Sequence, residues 1–395
     1  VFFSSANAAP WKIYLDSDRT HHHSSAHAIE MGVKTAFSMF GTDELWKDVE
    51  FVLCDHRGNS KRSKIHMNKF LKDPKGLLYF GGLHSPPLIK YRDWINENKL
   101  LCLVPWAAGG PITRAKNNEN WIFRLSIDDT QVGAYLAEQS LKLGKMKKPC
   151  LLLEDTPWGK SNHRNLTPPL LEHFGKAPKT YWFNWGTQNV SARQTLLEIK
   201  KNDFDTLFFV GNSNEGKVFF YEMINLGMDI QIYSHWGITG SDFHTQMEGR
   251  LQSLNLKIVQ TKFSFLQENL SQFQSSVLEK VLKDFPNVKS KKDIKSVTGF
   301  VHGFDISLLI IHAAKDMDDI SEKHLLQSSI RNALENLKYP VQGLIKMYNK
   351  PFSNYTPESP YAHEALTGND FALGSFDQNG NLVLDERTIA SGLKN

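Results

Sequence analysis

Short apolar runs alternate with longer stretches of helical period along most of the chain. KIYL (12–15) precedes a stretch in which Ile29, Val33, Phe37 and Phe40 share one helical face. VEFVL (49–53), a polar helix over 60–72, LLYFGG (77–82), a helix aligning Leu88, Tyr91 and Ile95, and LLCLV (100–104) follow. Uninterrupted apolar runs separated by helices read as buried parallel strands joined by helical crossovers. The pattern restarts with WIFRLS (121–126) and a helix from about Asp129. It continues through CLLLED (150–155), TYWFNW (180–185), TLFFVGN (206–212) and DIQIYSHWG (229–237), with a helix between each pair. This predicts an α/β chain with two doubly wound parallel sheets, the second half beginning near Trp121.

The pattern changes beyond residue 255. IVQTKFSF (258–265) reads as a strand-like connector, 267–284 as a helix, and the stretch from about Thr298 as a second helix carrying Phe304, Leu308, Ile311 and His312. VQGLIKM (341–347) reads as a further connector strand. Residues 349–370, rich in Pro, Asn and Ser, read as a surface excursion. FALGSF (371–376) followed by Asn379-Gly380 signals a hairpin.

Composition narrows the class. The 395 residues are 41% hydrophobic and 22% charged with a net charge of +4, which fits a globular chain. The Lys-rich stretches 142–148 and 289–295 are short and lack interleaved aromatics, so no nucleic-acid partner is expected. No run of 18 apolar residues occurs. Residues 1–9, VFFSSANAA, read as a signal-peptide remnant or a disordered N-terminus, with Ala6-Asn7-Ala8 as a small-residue cleavage site; this points to export. Cys54, Cys102 and Cys150 lie in or beside apolar runs with no metal-ligand spacing and read as buried thiols.

In open parallel sheets, ligands bind beyond the carboxyl ends of the strands. Those positions hold Asp16 to Ser25, Gly81 to Pro87, Pro105 to Ala108, Asp155 to Gly159, Gly211 to Glu215 and Ser234 to Gly237. Trp106, Trp158 and Trp236 occupy comparable strand ends in both halves, so facing halves would border one cleft with three indoles. Ser85-Pro86-Pro87 reads as a helix N-cap followed by two prolines. Ser85 Oγ and the backbone around Trp106, Ala107 and Ala108 are then the candidate donors to an anion. His84 and His235 are candidates to line the cleft, whereas His302 reads as packed on a helix. His21-His22-His23 reads as a wet loop at the rim, because consecutive residues point different ways and no ligand spacing accompanies them; no metal or cofactor is expected. Catalytic signatures such as G-x-S-x-G or a P-loop are absent, and no enzyme activity is expected.

With these strand ends in view, the chain resembles the type I periplasmic solute-binding proteins of the branched-chain amino-acid ABC transporters. The carrying stretches are FGGLHSPPL (80–88), LVPWAAGG (103–110), NWIFRLSIDDTQVGAYLA (120–137), LLLEDTPWGK (151–160), TLFFVGNSNEGKVFF (206–220) and SHWGITGSDF (234–243). The resemblance implies two α/β lobes joined by three crossovers, near Ser126, Gln260 to Lys262, and Pro340 to Gly343. Residues 10–125 and 263–339 would form the first lobe, and 127–259 and 344–395 the second. It implies that a small carboxylate-bearing or amino-acid-like solute is held in the interlobe cleft by hinge closure and delivered to a membrane ABC permease. The alternative is a sensing subunit that docks on a membrane receptor. Either would be a periplasmic or otherwise extracytoplasmic monomer.

The resemblance further implies that Ser85 and the backbone of Trp106 and Ala108 hold a carboxylate, and that Trp158 covers the ligand from the second lobe. Asn212 stands where the family often has an aromatic residue. Trp236 stands where an acid usually takes an α-amino group; Glu215, Asp155 or Asp16 would have to replace that charge.

Overall fold

In the computed structural model, which describes residues 10–389 apart from Lys145, Ser241, Asp316, Asp318 and Asp319, the apolar runs of the first 124 residues become strands of one parallel sheet. These strands are β1 (Lys12–Ser17), β2 (Glu50–Asp55), β3 (Gly76–Gly81), β4 (Cys102–Val104) and β5 (Ile122–Arg124), in the order β2-β1-β3-β4-β5. Helices α1 (His23–Phe40), α2 (Ser60–Lys72) and α3 (Ser85–Glu97) make the crossovers. WIFRLS therefore does not open the second half: β5 lies parallel to β4, with Cys102 opposite Ile122, and closes the first sheet.

The second sheet repeats the scheme. Strands β6 (Pro149–Glu154), β7 (Lys179–Phe183), β8 (Thr206–Val210), β9 (Gln231–Ser234) and β10 (Asn255–Thr261) alternate with α4 (Asp129–Lys142), α5 (Pro157–Phe174), α6 (Asn189–Lys201), α7 (Ser213–Asn225) and the short α8 (Phe243–Gln246). The parallel order β7-β6-β8-β9-β10 matches that of the first sheet. After β10 the chain returns to the first lobe as α9 (Gln272–Asp284), α10 (Val297–Ala313) and α11 (Lys323–Glu335). Helices α1 and α10 pack very closely; a Cβ on Gly32 would stand 2.1 Å from the Phe300 carbonyl oxygen. The expected NG hairpin is present as β13 (Phe371–Phe376) and β14 (Leu382–Asp385), which extend the second sheet antiparallel beside β10; before them, β11 (Val341–Gln342) and β12 (Met347–Tyr348) pair with each other. Cys54, Cys102 and Cys150 are free and buried. The proposed signal remnant lies outside the described residues.

Two expectations are corrected here. Residues 344–366 do not begin the second lobe. The backbone N–H groups of Leu344 and Ile345 donate to the Asp305 carboxylate of α10 at 2.7 and 3.2 Å, and Tyr348 Oη donates to it at 2.7 Å. Phe352 packs edge-on against Phe123 of β5. Within 349–370, expected as a surface excursion, 349–361 is largely exposed but 362–366 is buried. This buried part is a strap sewn along β5: Arg124 N–H donates to His363 O and Ala365 N–H to Arg124 O, both at 2.9 Å.

The strap delivers a buried acid. Arg124 is fully buried and donates to both carboxylate oxygens of Glu364 at 2.8 and 2.7 Å, and to the carbonyl oxygens of Gly109 at 2.9 Å and Ala107 at 3.3 Å. Asp128, the N-cap of α4 in the first crossover, pairs with Arg124 at 3.0 Å and with Arg114 at 2.5 Å. Arg114 also reaches Glu364 at 2.8 Å. Burial pushes the Asp128 carboxyl up, but Arg124 and Arg114 outweigh it and hold that group below the usual range. Replacing Glu364 by Ala leaves the Arg124 charge buried with half its compensation removed. The expected cost is about 3–5 kcal/mol, read as a lowered urea midpoint at unchanged m-value; a midpoint within error of wild type would show that Asp128 alone suffices.

Candidate functional site

Each sheet has the strand order 2-1-3-4-5, which places a topological switch point between its first and third strands, where ligands of doubly wound folds bind. In the first lobe that point lies beyond β1 and β3, and in the second beyond β6 and β8. The two face each other across a narrow cleft lined by Leu83, His84, Ser85, Pro86, Trp106, Ala108, Glu154, Trp158, Trp185, Asn212 and Trp236. A larger recess of about 670 Å³ opens between Thr239, Phe265, Lys291, Lys295 and Phe376, but it contains neither switch point.

Six of the eight residues singled out in the sequence meet in this cleft: Ser85, Trp106, Ala108, Trp158, Asn212 and Trp236. Trp106 and Trp236 approach across the interlobe seam with ring centroids 5.9 Å apart. Ser85 is the first residue of α3 rather than its cap; His84 holds the N-cap position. Ser85 Oγ instead accepts from the Gly109 N–H at 3.0 Å, which leaves its own O–H available to donate. Gly110 N–H donates to Ser161 Oγ of α5 at 3.0 Å, tying the same loop to the opposite lobe.

Ala107 and His235 stand back from the cleft. Ala107 packs into the small core behind the first sheet, on the other side of a loop whose carbonyls turn toward Arg124. His235 is fully buried, bonded through Nε2 to Asp129 at 2.9 Å, and meets the Trp158 ring edge-on at 4.9 Å; it supports that indole rather than facing a ligand. His302 is packed as expected, with Nδ1 2.9 Å from Pro105 O and its pKa lowered by burial to about 3.

None of the acids considered as a replacement charge lines the cleft. Asp155 is exposed and pairs with Lys160 at 3.0 Å. Glu215 accepts from the Gly186 N–H at 3.0 Å, and Asp16 is enclosed by His66 at 2.8 Å and Tyr79 at 2.7 Å. The acid in the cleft is Glu154, the last residue of β6, and the sequence reading passed over it. Strand side chains alternate in direction, so Glu154 and Asp155 point opposite ways and only the first points inward. Glu154 is fully buried and accepts from Thr156 Oγ1 at 2.6 Å, Trp185 Nε1 at 3.0 Å and Asn212 Nδ2 at 3.1 Å. Thr156 also caps α5, with Pro157 in its first turn. Burial raises Glu154 to about 7; the Thr156 and Trp185 hydrogen bonds pull the other way, and the Glu215 and Asp129 charges add to the rise.

The His21-His22-His23 reading also divides. His21 and His23 are exposed, but His22 is buried. Asp18, His22 and His84 each bring a ligand-type atom within 4.8 Å of the others, the group that the sequence spacing had not disclosed. Leu83, just before His84, has a left-handed φ of +72°, an uncommon conformation for a non-glycine residue, and Gly82 passes so near β1 that a Cβ would stand 2.1 Å from Ser17 Oγ.

No family model matches the chain, and no curated protein matches it in sequence. Solved structures match it along nearly its whole length. A type 1 periplasmic binding protein from Bordetella pertussis Tohama I shares 15% identity and a TM-score of 0.78, covering 95% of this chain and 99% of its own. The chain has the type I periplasmic-binding-protein fold. An R. palustris ABC-transporter solute-binding protein in complex with benzoate shares 18% identity and a TM-score of 0.74, covering 98% of this chain and 100% of its own. LivJ, the branched-chain amino-acid transporter substrate-binding protein of Streptococcus pneumoniae, in complex with isoleucine, shares 15% identity and a TM-score of 0.73, covering 95% and 99%. The two-lobed periplasmic-binding-protein architecture is thus the one the strand ends suggested, and no helix among the described residues is long and apolar enough to cross a membrane.

The position of Glu154 has a measurable consequence. Its folded pKa lies above its ordinary value, so its contribution to stability is fully present below about pH 4.5 and is lost as the pH rises through about 7. Between pH 5 and 8, wild type should therefore lose about 3 kcal/mol relative to Glu154→Gln. Denaturant midpoints of the two proteins across that range measure the difference, and a flat difference would mean that the hydrogen bonds to Glu154 fully offset its burial.

Proposed function

We propose that this protein is an extracytoplasmic binding protein that encloses a small carboxylate-bearing solute between its lobes for delivery to an ABC permease. The observation that carries the reading is the convergence of Trp106, Trp158 and Trp236, contributed by strand ends of both lobes, on one cleft whose polar points are Ser85 on one wall and Glu154 with Asn212 on the other. Indole faces grip a planar or apolar body with little loss of side-chain freedom. The closed cleft is nearly filled by its own side chains, so a solute would enter only when the lobes part.

Glu154 bears on which solute. As a carboxylate it can pair with the ammonium of an amino acid, and as a carboxylic acid it can donate to a neutral or anionic acceptor. A pKa of about 7 makes both states accessible near neutrality. The solved neighbours with benzoate and isoleucine represent these two kinds of ligand. The lobes lie closed, with Ser296 Oγ donating to Thr239 O at 2.8 Å across the seam, and hinge opening would admit the solute.

Thermal shift with aromatic carboxylates and aliphatic amino acids tests the proposal. A ligand at 100 times its Kd stabilises the folded state by about 2.7 kcal/mol. Ser85→Ala and Trp158→Ala should abolish the shift while the unliganded proteins keep a cooperative unfolding transition. Shifts in both variants equal to wild type would place the binding site elsewhere.

A further inference from the structure

We infer that Asp18, His22 and His84 form a binding site for one divalent transition-metal cation of the Zn²⁺ class at the edge of the interlobe cleft. The three residues come from separate stretches: the end of β1, the N-cap of α1 and the loop after β3. All three are buried, and their candidate ligand atoms lie within 4.8 Å of one another. Tetrahedral Zn²⁺ with bonds near 2.1 Å needs donors about 3.4 Å apart, which small side-chain rotations supply. His84 Nε2 and Asp18 Oδ2 already stand 3.1 Å apart. Two imidazoles and one carboxylate leave a coordination position open, the arrangement of Zn²⁺ sites that accept an exogenous ligand.

The surroundings resemble those that orient metal ligands. Asp18 Oδ1 accepts from the His21 backbone N–H at 2.9 Å and lies 3.1 Å from His21 Nδ1, which fixes the carboxylate while Oδ2 faces His84. His56 packs 5.6 Å from His84, but both its nitrogens are taken: Nδ1 accepts from Gly58 N–H at 3.1 Å and Nε2 lies 3.3 Å from Gly82 O. It is a wall rather than a fourth ligand. The left-handed backbone at Leu83 holds His84 against this group while the same residue borders the cleft.

The site also answers an imbalance in the cleft. Its described lining includes Glu154 but no Lys or Arg. A divalent cation on His84 would set a positive charge beside Ser85, the next residue in the chain. That consequence depends on the solute reading above; the metal site itself does not, and its test uses Zn²⁺ alone.

Untagged protein, stripped with a chelator, is titrated with Zn²⁺ by calorimetry, and bound metal is counted after dialysis. One equivalent is expected for wild type, with affinity at least about 100-fold weaker in His22→Ala and Asp18→Asn, since even second-shell losses cost 10–100-fold. A His23→Ala/His27→Ala double variant should bind as wild type. Those two rings stack at 5.8 Å on the exposed face of α1 and are the rival surface pair. X-ray absorption of Zn²⁺-loaded wild type needs no variant and should show two imidazoles with oxygen filling the remaining positions. The inference is overturned if no stoichiometric Zn²⁺ binds, if His23→Ala/His27→Ala abolishes binding while His22→Ala does not, or if the spectrum shows any other number of imidazoles.

Discussion

The buried Arg124–Glu364 pair holds the architecture in register. Two guanidiniums, Arg124 and Arg114, meet two carboxylates, Glu364 and Asp128, where a strand of the first lobe, the first crossover and the returning strap come together. Taking such charges out of water is costly, and only dense mutual hydrogen bonding offsets the cost. Here each charge has an opposite partner, and the remaining Arg124 donors bond to the carbonyls of Ala107 and Gly109. That last contact links the network to the site. With these carbonyls turned toward Arg124, the loop presents the Trp106 indole to the cleft and sets the Gly109 and Gly110 N–H groups on Ser85 and Ser161.

From that fixed loop the two walls of the cleft acquire different chemistry. The first-lobe wall carries Ser85, whose Oγ accepts from Gly109 N–H, and His84 beside Asp18. The second-lobe wall carries an acid whose neighbours are all donors, yet whose burial and nearby carboxylates raise its pKa. Where the family resemblance leads one to expect an acid, Trp236 packs against Trp106 and against the His302 ring at 5.0 Å. The acid is moved to the end of β6, on the opposite side of the second sheet's switch point.

Strand order and helix placement were largely legible, because strands buried on both faces appear as apolar runs and their crossovers show helical period. What the sequence hid was partnership. WIFRLS looks like a new beginning, since nothing local says that Ile122 will lie opposite Cys102. The strap has the composition of a loop, and what buries its segment 362–366 is distant in sequence, above all Arg124, 240 residues away from Glu364. Six cleft residues are readable from strand ends, but after β6 the inward acid is the strand's own last residue, Glu154, and not Asp155, which follows it. In the histidine triplet, one ring of three turns inward. Its companions Asp18 and His84 are brought beside it by the β1–β3 pairing, not by spacing.

The closed arrangement bears on how a ligand could act. A solute shifts an open–closed equilibrium only by the difference between its affinities for the two states. The Trp106–Trp236 contact and the seam bonds from Ser296 to Thr239 and from Ser25 to Gly240 favour closure without help from a ligand. Glu154 is buried in this closed arrangement, where loss of water disfavours its ionised form. On the proposed function, a solute would compensate that one carboxyl, by pairing with its charge or by accepting its proton, and the indoles would supply the apolar grip.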